Sequence, residues 1–323
     1  MNQFTQRIHD LGIVPVVVLN DEKDAIPLAQ ALIQGGLPIA EVTFRTQAAK
    51  ESIRLMSSHF PNMIVGAGTV LNTMQVDEAI EAGAQFIVSP GFNPTVVEYC
   101  GNKGIQIIPG VSSASHIEQA LSYGLTTLKF FPAEAIGGLP LIKALSAPYP
   151  MVKFMPTGGL SLDNYLSYLN EPSVLAIGGS WMVNPSLIKE GKFDSITSLT
   201  KQAVDTMHGF TLAHVGINQD NSQQAQALSQ SLVSMFGLKS EITSTSTFLN
   251  SPAGRVIELM HTPYYGEKGH IAISTHHVER AYHYFKALGY TFREDTLRFD
   301  NQKLKSVYFE QELGGFAFHL VQK

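Results

Sequence analysis

Between Ile13 and about Met207 one unit recurs along the chain: a short apolar run, a turn, then a stretch with helical period. The apolar runs are Ile13–Leu19, Ile39–Thr43, Met63–Gly66, Phe86–Ser89, Gln106–Pro109, Thr127–Phe130, Lys153–Pro156 and Ala176–Gly178. Helical patterns such as Asp24–Gln34, Ala48–His59, Gln75–Ala82 and Ser115–Tyr123 lie between them. Runs this short and this continuously apolar read as strands covered on both faces, as in parallel sheets. Eight strand–helix alternations point to an α/β fold closed as a compact (β/α)8 TIM barrel. An open doubly wound sheet is the alternative, but no Gly-x-Gly-x-x-Gly follows the first strand.

The pattern changes near His208-Gly209. Beyond it, alternating strands replace continuous ones. Leu212–Asn218, a helix over Ser222–Phe236, Ser246–Leu249 and Arg255–Met260 form one module; Gly269–Ser274, a helix over Val278–Leu288, Tyr290–Arg293, Leu304–Phe309 and Phe316–Val321 form another. The expectation is a barrel over residues 1–208 followed by an α+β domain over 209–323, built from two βαβββ modules related by duplication. A chain of 323 residues exceeds one ordinary core, which fits two domains. The net charge of −5 and the absence of a basic run argue against nucleic acid or an anionic membrane surface as partners. A single cysteine, Cys100, and the lack of an apolar leader or a spanning stretch point to the cytoplasm.

In a barrel of this kind chemistry sits at the C-terminal ends of the strands. The sixth run, Thr127-Leu128-Lys129-Phe130-Phe131-Pro132, carries one cation among apolar neighbours. A buried ammonium is costly unless it pairs or loses its proton, and a lysine amine freed in this way is a nucleophile toward carbonyls. A lysine at a strand end can also extend to solvent, so its neighbours decide. Strand two offers Glu41, Thr43 and Arg45, whose alternate spacing places them on one face. Glu41 can shuttle a proton, and Arg45 can hold a planar carboxylate bidentately. Strand three ends in Gly66-Ala67-Gly68-Thr69 and strand four in Ser89-Pro90-Gly91. Strands seven and eight end in Pro156-Thr157-Gly158-Gly159 and Ile177-Gly178-Gly179-Ser180, the pair of loops where this fold often binds phosphate.

Taken together, Glu41-Val42-Thr43-Phe44-Arg45-Thr46, Val65-Gly66-Ala67-Gly68-Thr69-Val70-Leu71-Asn72, Ser89-Pro90-Gly91, Leu128-Lys129-Phe130-Phe131-Pro132-Ala133-Glu134, Pro156-Thr157-Gly158-Gly159 and Ile177-Gly178-Gly179-Ser180-Trp181 resemble the bacterial 2-keto-3-deoxy-6-phosphogluconate / 4-hydroxy-2-oxoglutarate aldolases. The resemblance covers about the first two-thirds of the chain. It implies a class I aldolase without cofactor, usually a homotrimer, that cleaves a phosphorylated keto sugar acid to pyruvate and glyceraldehyde 3-phosphate. On that resemblance Lys129 is the Schiff-base lysine and Glu41 the general acid/base. Arg45 and Thr69 hold the pyruvyl carboxylate, and Gly158, Gly159, Gly179 and Ser180 surround the phosphate. Pro90, Phe131 and Thr157 complete the expected substrate contacts. Met155 and Phe44 depart from residues often seen at their positions. A barrel that binds sugar phosphate without aldol chemistry is the competing reading.

In the C-terminal region each module carries two polar residues at matching places. His214 and His270 lie on the first strands, Glu258 and His319 on the last. Four such donors suit one divalent metal, with zinc, nickel, iron or manganese favoured over magnesium or calcium. The pattern resembles the vicinal-oxygen-chelate (glyoxalase-like) superfamily, which implies the same four residues as ligands. Glutamate is more usual there than His319. A structural or oligomer-stabilising module is the other reading of this domain.

Overall fold

The computed structural model describes residues 2–323. It divides into two compact units that meet in the sequence between Met207 and His208.

In the first unit the strands are β1 (Ile13–Val17), β2 (Ile39–Thr43), β3 (Ile64–Gly68), β4 (Phe86–Val88), β5 (Gln106–Ile108), β6 (Gly110–Val111), β7 (Thr127–Phe130), β8 (Lys153–Pro156) and β9 (Ile177–Gly179). All their pairings are parallel. They run in the orders β5-β4-β3-β2-β1-β9 and β6-β7-β8. Strands β5 and β6 are two halves of one stave, parted at Pro109, and bridges from Phe154 to Val174 and from Thr157 to Gly178 join β8 to the β9 segment. The result is an α/β barrel. Every residue of β2 and β3 is buried, as expected of strands with side chains in the lumen on one face and helices on the other.

The second unit is mostly sheet. Its strands are β10 (Thr211–Ile217), β11 (Lys239–Ile242), β12 (Ser246–Ser251), β13 (Gly254–Met260), β14 (Gly269–Thr275), β15 (Arg298–Asp300), β16 (Lys303–Leu313) and β17 (Phe316–Gln322). They form one sheet in the order β11-β12-β13-β10-β14-β17-β16-β15. The two halves of that order mirror each other about the antiparallel β10–β14 pair, and in each half the first strand pairs in parallel with the last. Helices Ser222–Phe236 and Val278–Ala287 cover one face. Leu249 and Leu259 pack with the first helix, and Leu304, Val307 and Leu320 with the second. Alternation then turns Glu258 and His319, the neighbours of Leu259 and Leu320, to the opposite face.

Two details differ from the sequence expectation. The stretch Tyr290–Arg293 is not a strand: Phe292 makes one bridge to Phe309, a 3-10 turn follows over Glu294–Thr296, and the strand there is β15. Strand β11 is an addition. Both β11 and β15 are sheet edges whose residues are exposed throughout, so neither carries a hydrophobic alternation to be read.

Candidate active site and a second polar centre

Lys129 and Glu41 face each other inside the barrel from β7 and β2. The Lys129 Nζ lies 3.0 Å from Glu41 Oε1, with the side chains 6% and 0% exposed. Desolvating either charge alone would cost several kcal/mol, on the order set by burial in a low-dielectric interior, so each requires the other. The Nζ also lies 5.4 Å from the centre of the Phe131 ring. The second carboxylate oxygen, Glu41 Oε2, is sealed from solvent and has no protein partner. Space for the Glu41 side chain comes from Gly68 on the next strand: a Cβ there would lie 2.3 Å from Glu41 Oε1. The following residue, Thr69, has φ +56°, a left-handed backbone uncommon for threonine, at the C-terminal end of β3.

A cavity of about 300 Å³ opens at this end of the barrel, lined by Arg45, Phe131, Thr157, Gly158, Gly159, Gly179 and Ser180, among others. Gly158 (φ 101°) and Gly159 (φ 81°) both take left-handed backbone, which an ordinary side chain would disfavour. Glu134 braces the loop: its N–H donates to Gly158 O at 3.1 Å, while its carboxylate accepts from the Tyr168 hydroxyl. Nothing in the linear sequence tied Tyr168 to this loop. Pro90 is placed by a close crossing, since a Cβ on Gly110 would come within 2.1 Å of its carbonyl oxygen.

Arg45 is a correction. Strand β2 ends at Thr43, and Arg45 sits exposed in the turn beyond it, so the alternation does not extend to it. Thr43 is buried and donates its hydroxyl to Val17 O at 2.9 Å. Ser180 is exposed at the start of a 3-10 turn over Trp181–Val183, beside the cavity.

A lysine and a carboxylate in contact at the mouth of an α/β barrel are the working parts of a class I aldolase, a lyase that proceeds through an imine. The comparisons agree. A family model described as KDPG and KHG aldolase matches residues 4–199, and the chain belongs to that family. A 2-dehydro-3-deoxy-phosphogluconate aldolase of Treponema pallidum is 50% identical over 199 residues, covering 62% of this chain and 95% of that protein. The KHG/KDPG aldolase of Escherichia coli is 45% identical over 193 residues, covering 60% and 91%. Among solved structures, the KDPG aldolase of Legionella pneumophila, captured with pyruvate as a covalent carbinolamine, superposes with a TM-score of 0.61 at 40% identity, covering 62% of this chain and 98% of that one. No helix among the described residues is long and apolar enough to cross a membrane.

The second unit holds its own polar centre on the helix-free face of the sheet. The register explains the gathering. Gly216 pairs with Glu258 in the first half and Ala272 with His319 in the second. His214 and His270 each stand two residues before those partners, so the two halves of the sheet repeat the same placement. One ring nitrogen from each of His214, His270 and His319 lies within 4.8 Å of the others. His270 Nε2 is 3.3 Å from His214 Nε2 and 3.1 Å from Glu258 Oε2, which is 3.3 Å from His214 Nε2. Gly216 leaves room for this approach, because a Cβ there would lie 2.0 Å from the His270 ring. Burial opposes the charge on Glu258, but hydrogen bonds from His214, His270 and Ser246 hold its carboxyl well below the usual carboxylate range. Burial, with His270 and His214 beside it, pushes the His319 imidazole down to about 3. Both His319 ring nitrogens and His270 Nδ1 are sealed without a hydrogen-bond partner.

Proposed function

We propose that the barrel cleaves 2-dehydro-3-deoxy-6-phosphogluconate to pyruvate and D-glyceraldehyde 3-phosphate. The observation that carries this reading is the buried Lys129–Glu41 contact of 3.0 Å at a barrel mouth that also holds the two glycine loops. Lys129, as the free amine, adds to the C2 ketone; loss of water leaves a cationic iminium that acts as an electron sink. Glu41, directly or through a water, takes the C4-hydroxyl proton as the C3–C4 bond breaks, and glyceraldehyde 3-phosphate departs. The pyruvate enamine is reprotonated at C3 and hydrolysed to free Lys129. Arg45 and Thr69 hold the substrate carboxylate, Pro90, Phe131 and Thr157 line its path, and Gly158, Gly159, Gly179 and Ser180 surround the phosphate. The unphosphorylated 4-hydroxy-2-oxoglutarate, giving pyruvate and glyoxylate, is a second substrate in this reading. A homotrimer is the assembly that accompanies it, to be measured by sedimentation. Borohydride reduction in the presence of pyruvate should add a three-carbon fragment at Lys129. Labelling elsewhere would move the imine to another amine, and no pyruvate release from the phosphorylated acid would leave a sugar-phosphate sensor instead.

For the second unit we infer a glyoxalase-like domain with one divalent metal held by His214, Glu258, His270 and His319. The fit rests on distance and on unmet valence. Ligands about 2.0–2.1 Å from a metal stand roughly 2.8–3.0 Å from their neighbours in an octahedral arrangement and roughly 3.3–3.4 Å in a tetrahedral one, and three of the donor pairs here, 3.1–3.3 Å apart, lie within that span. The His319 nitrogens without partners supply the remaining donor. Bound there, a zinc, nickel, iron or manganese ion would act as a Lewis acid toward an oxygen ligand. Metal analysis of the purified protein tests this. Protein without metal and without uptake on titration would leave a structural module.

A further inference from the structure

Three consecutive carbonyls of the loop after β8 are tied to groups behind it. The Ala133 N–H donates to Thr157 O at 2.8 Å and the Glu134 N–H to Gly158 O at 3.1 Å. The Asn164 Nδ2 donates to Gly159 O at 3.1 Å. Thr157, Gly158, Gly159 and Leu160 form part of the cavity wall at the barrel mouth, whereas Ala133, Glu134 and Asn164 do not. In a trans peptide the N–H points opposite to the C=O of the same unit. Holding these three carbonyls outward therefore turns the N–H groups of Gly158, Gly159 and Leu160 to the other side, toward the cavity. The positive φ of Gly158 and Gly159 is the backbone that lets successive amides converge, and such a concavity favours an anion.

Two side chains hold the ties in place from behind. The Asn164 Oδ1 accepts from the Ser161 N–H at 2.9 Å, which aims the Nδ2 at Gly159 O. Tyr168, 2% exposed, donates its hydroxyl to the Glu134 carboxylate and so fixes the residue whose N–H holds Gly158 O. Gly138 makes room for that hydroxyl, since a Cβ there would lie 2.9 Å from it. The Glu134 side chain in turn lies against Gly159, where a Cβ would come within 2.6 Å of the Glu134 Cβ. Amides aligned in advance bind an anion better than amides that must first be ordered.

We propose that Asn164 and Tyr168 are positioning residues that set how strongly the barrel prefers a phosphorylated substrate, acting through the loop amides without touching the phosphate. The proposal rests on the aldolase reading above and deepens it to the source of phosphate selectivity. Asn164→Ala and Tyr168→Phe, both neutral changes in the full chain, test it. Two quantities are measured in each: kcat/KM for 2-dehydro-3-deoxy-6-phosphogluconate, and the apparent affinity for pyruvate in borohydride trapping. Pyruvate carries no phosphate and serves as the reference. The first quantity should fall about tenfold or more in Asn164→Ala and about fivefold in Tyr168→Phe, the scale of one lost hydrogen bond. Pyruvate affinity should stay within twofold of the parent in both. Equal losses in the two quantities would make the residues merely structural and overturn the proposal, as would an unchanged kcat/KM in both variants. A parent protein that traps pyruvate but does not cleave the phosphorylated acid removes the aldolase reading, and this proposal with it.

Discussion

The two buried polar centres solve one problem in opposite ways. In the barrel, a single cation meets a single anion: Lys129 and Glu41 balance each other inside the lumen. In the second unit, one carboxylate meets three imidazoles, and nitrogens of His319 and His270 are left over. A centre that balances itself carries its reagent in the chain, because the amine that pairs with Glu41 is also the proposed nucleophile. A centre whose buried ring nitrogens lack partners is where the proposed metal would bind. The contrast predicts that the barrel chemistry is indifferent to metal and that the second centre is governed by it.

The largest effect expected from breaking this contrast is at the nucleophile. Lys129→Ala should lower pyruvate release by on the order of 10^4–10^6-fold, the scale seen when a covalent catalyst's nucleophile is removed. Its metal content should equal the parent's, and substantial residual turnover would move the imine to another amine. Glu41→Gln should cost roughly 10^2–10^4-fold in kcat, the range for positioned acid–base groups. A rise in KM alone would make Glu41 a binding residue. His270→Ala sharpens the other side. Metal present at a hundred times its Kd should stabilise the second unit of the parent by about 2.7 kcal/mol, seen as a raised melting transition, and this gain should vanish in the variant. Pyruvate release should stay within twofold of the parent in His270→Ala and in the presence of a chelator. A chelator that stops aldol cleavage without altering assembly would erase the contrast. The smallest effect belongs to Ser180→Ala, which should lose about 1.5–3 kcal/mol of transition-state stabilisation with the phosphorylated acid, from one hydrogen bond to a charged group. It should lose little with 4-hydroxy-2-oxoglutarate; equal losses would take Ser180 off the phosphate.

How far the sequence disclosed these features follows from how each is buried. The barrel strands stood out because a parallel strand covered on both faces must be apolar throughout, and Lys129 stood out against that background. Arg45 was read one step too far along its strand, since the chain turns after Thr43 and alternation ends with the ladder. The edges β11 and β15 bury no face and left no periodic trace. The four polar residues of the second unit were visible because its two halves repeat each placement. Aligned by their last strands, the two halves also set Phe248 and Tyr308 opposite Glu258 and His319, a correspondence that the register makes plain and the linear sequence does not. The bracing of the Gly158–Gly159 loop by Glu134 and Tyr168 lies between distant segments, and no local pattern announces it.

The seam between β10 and β14 has a further consequence. Two of the four polar residues come from each side of it, and one antiparallel strand pair joins the two sides into a single sheet. Two chains that exchanged halves through the loop between Met260 and Gly269 would rebuild the same four-donor set, each centre then drawing half its ligands from either chain. The proposed metal's occupancy would therefore be blind to which chain closes the sheet. Only a heterodimer of His214→Ala and His270→Ala protomers would distinguish the two cases, since exchange alone can restore one intact centre from two broken ones.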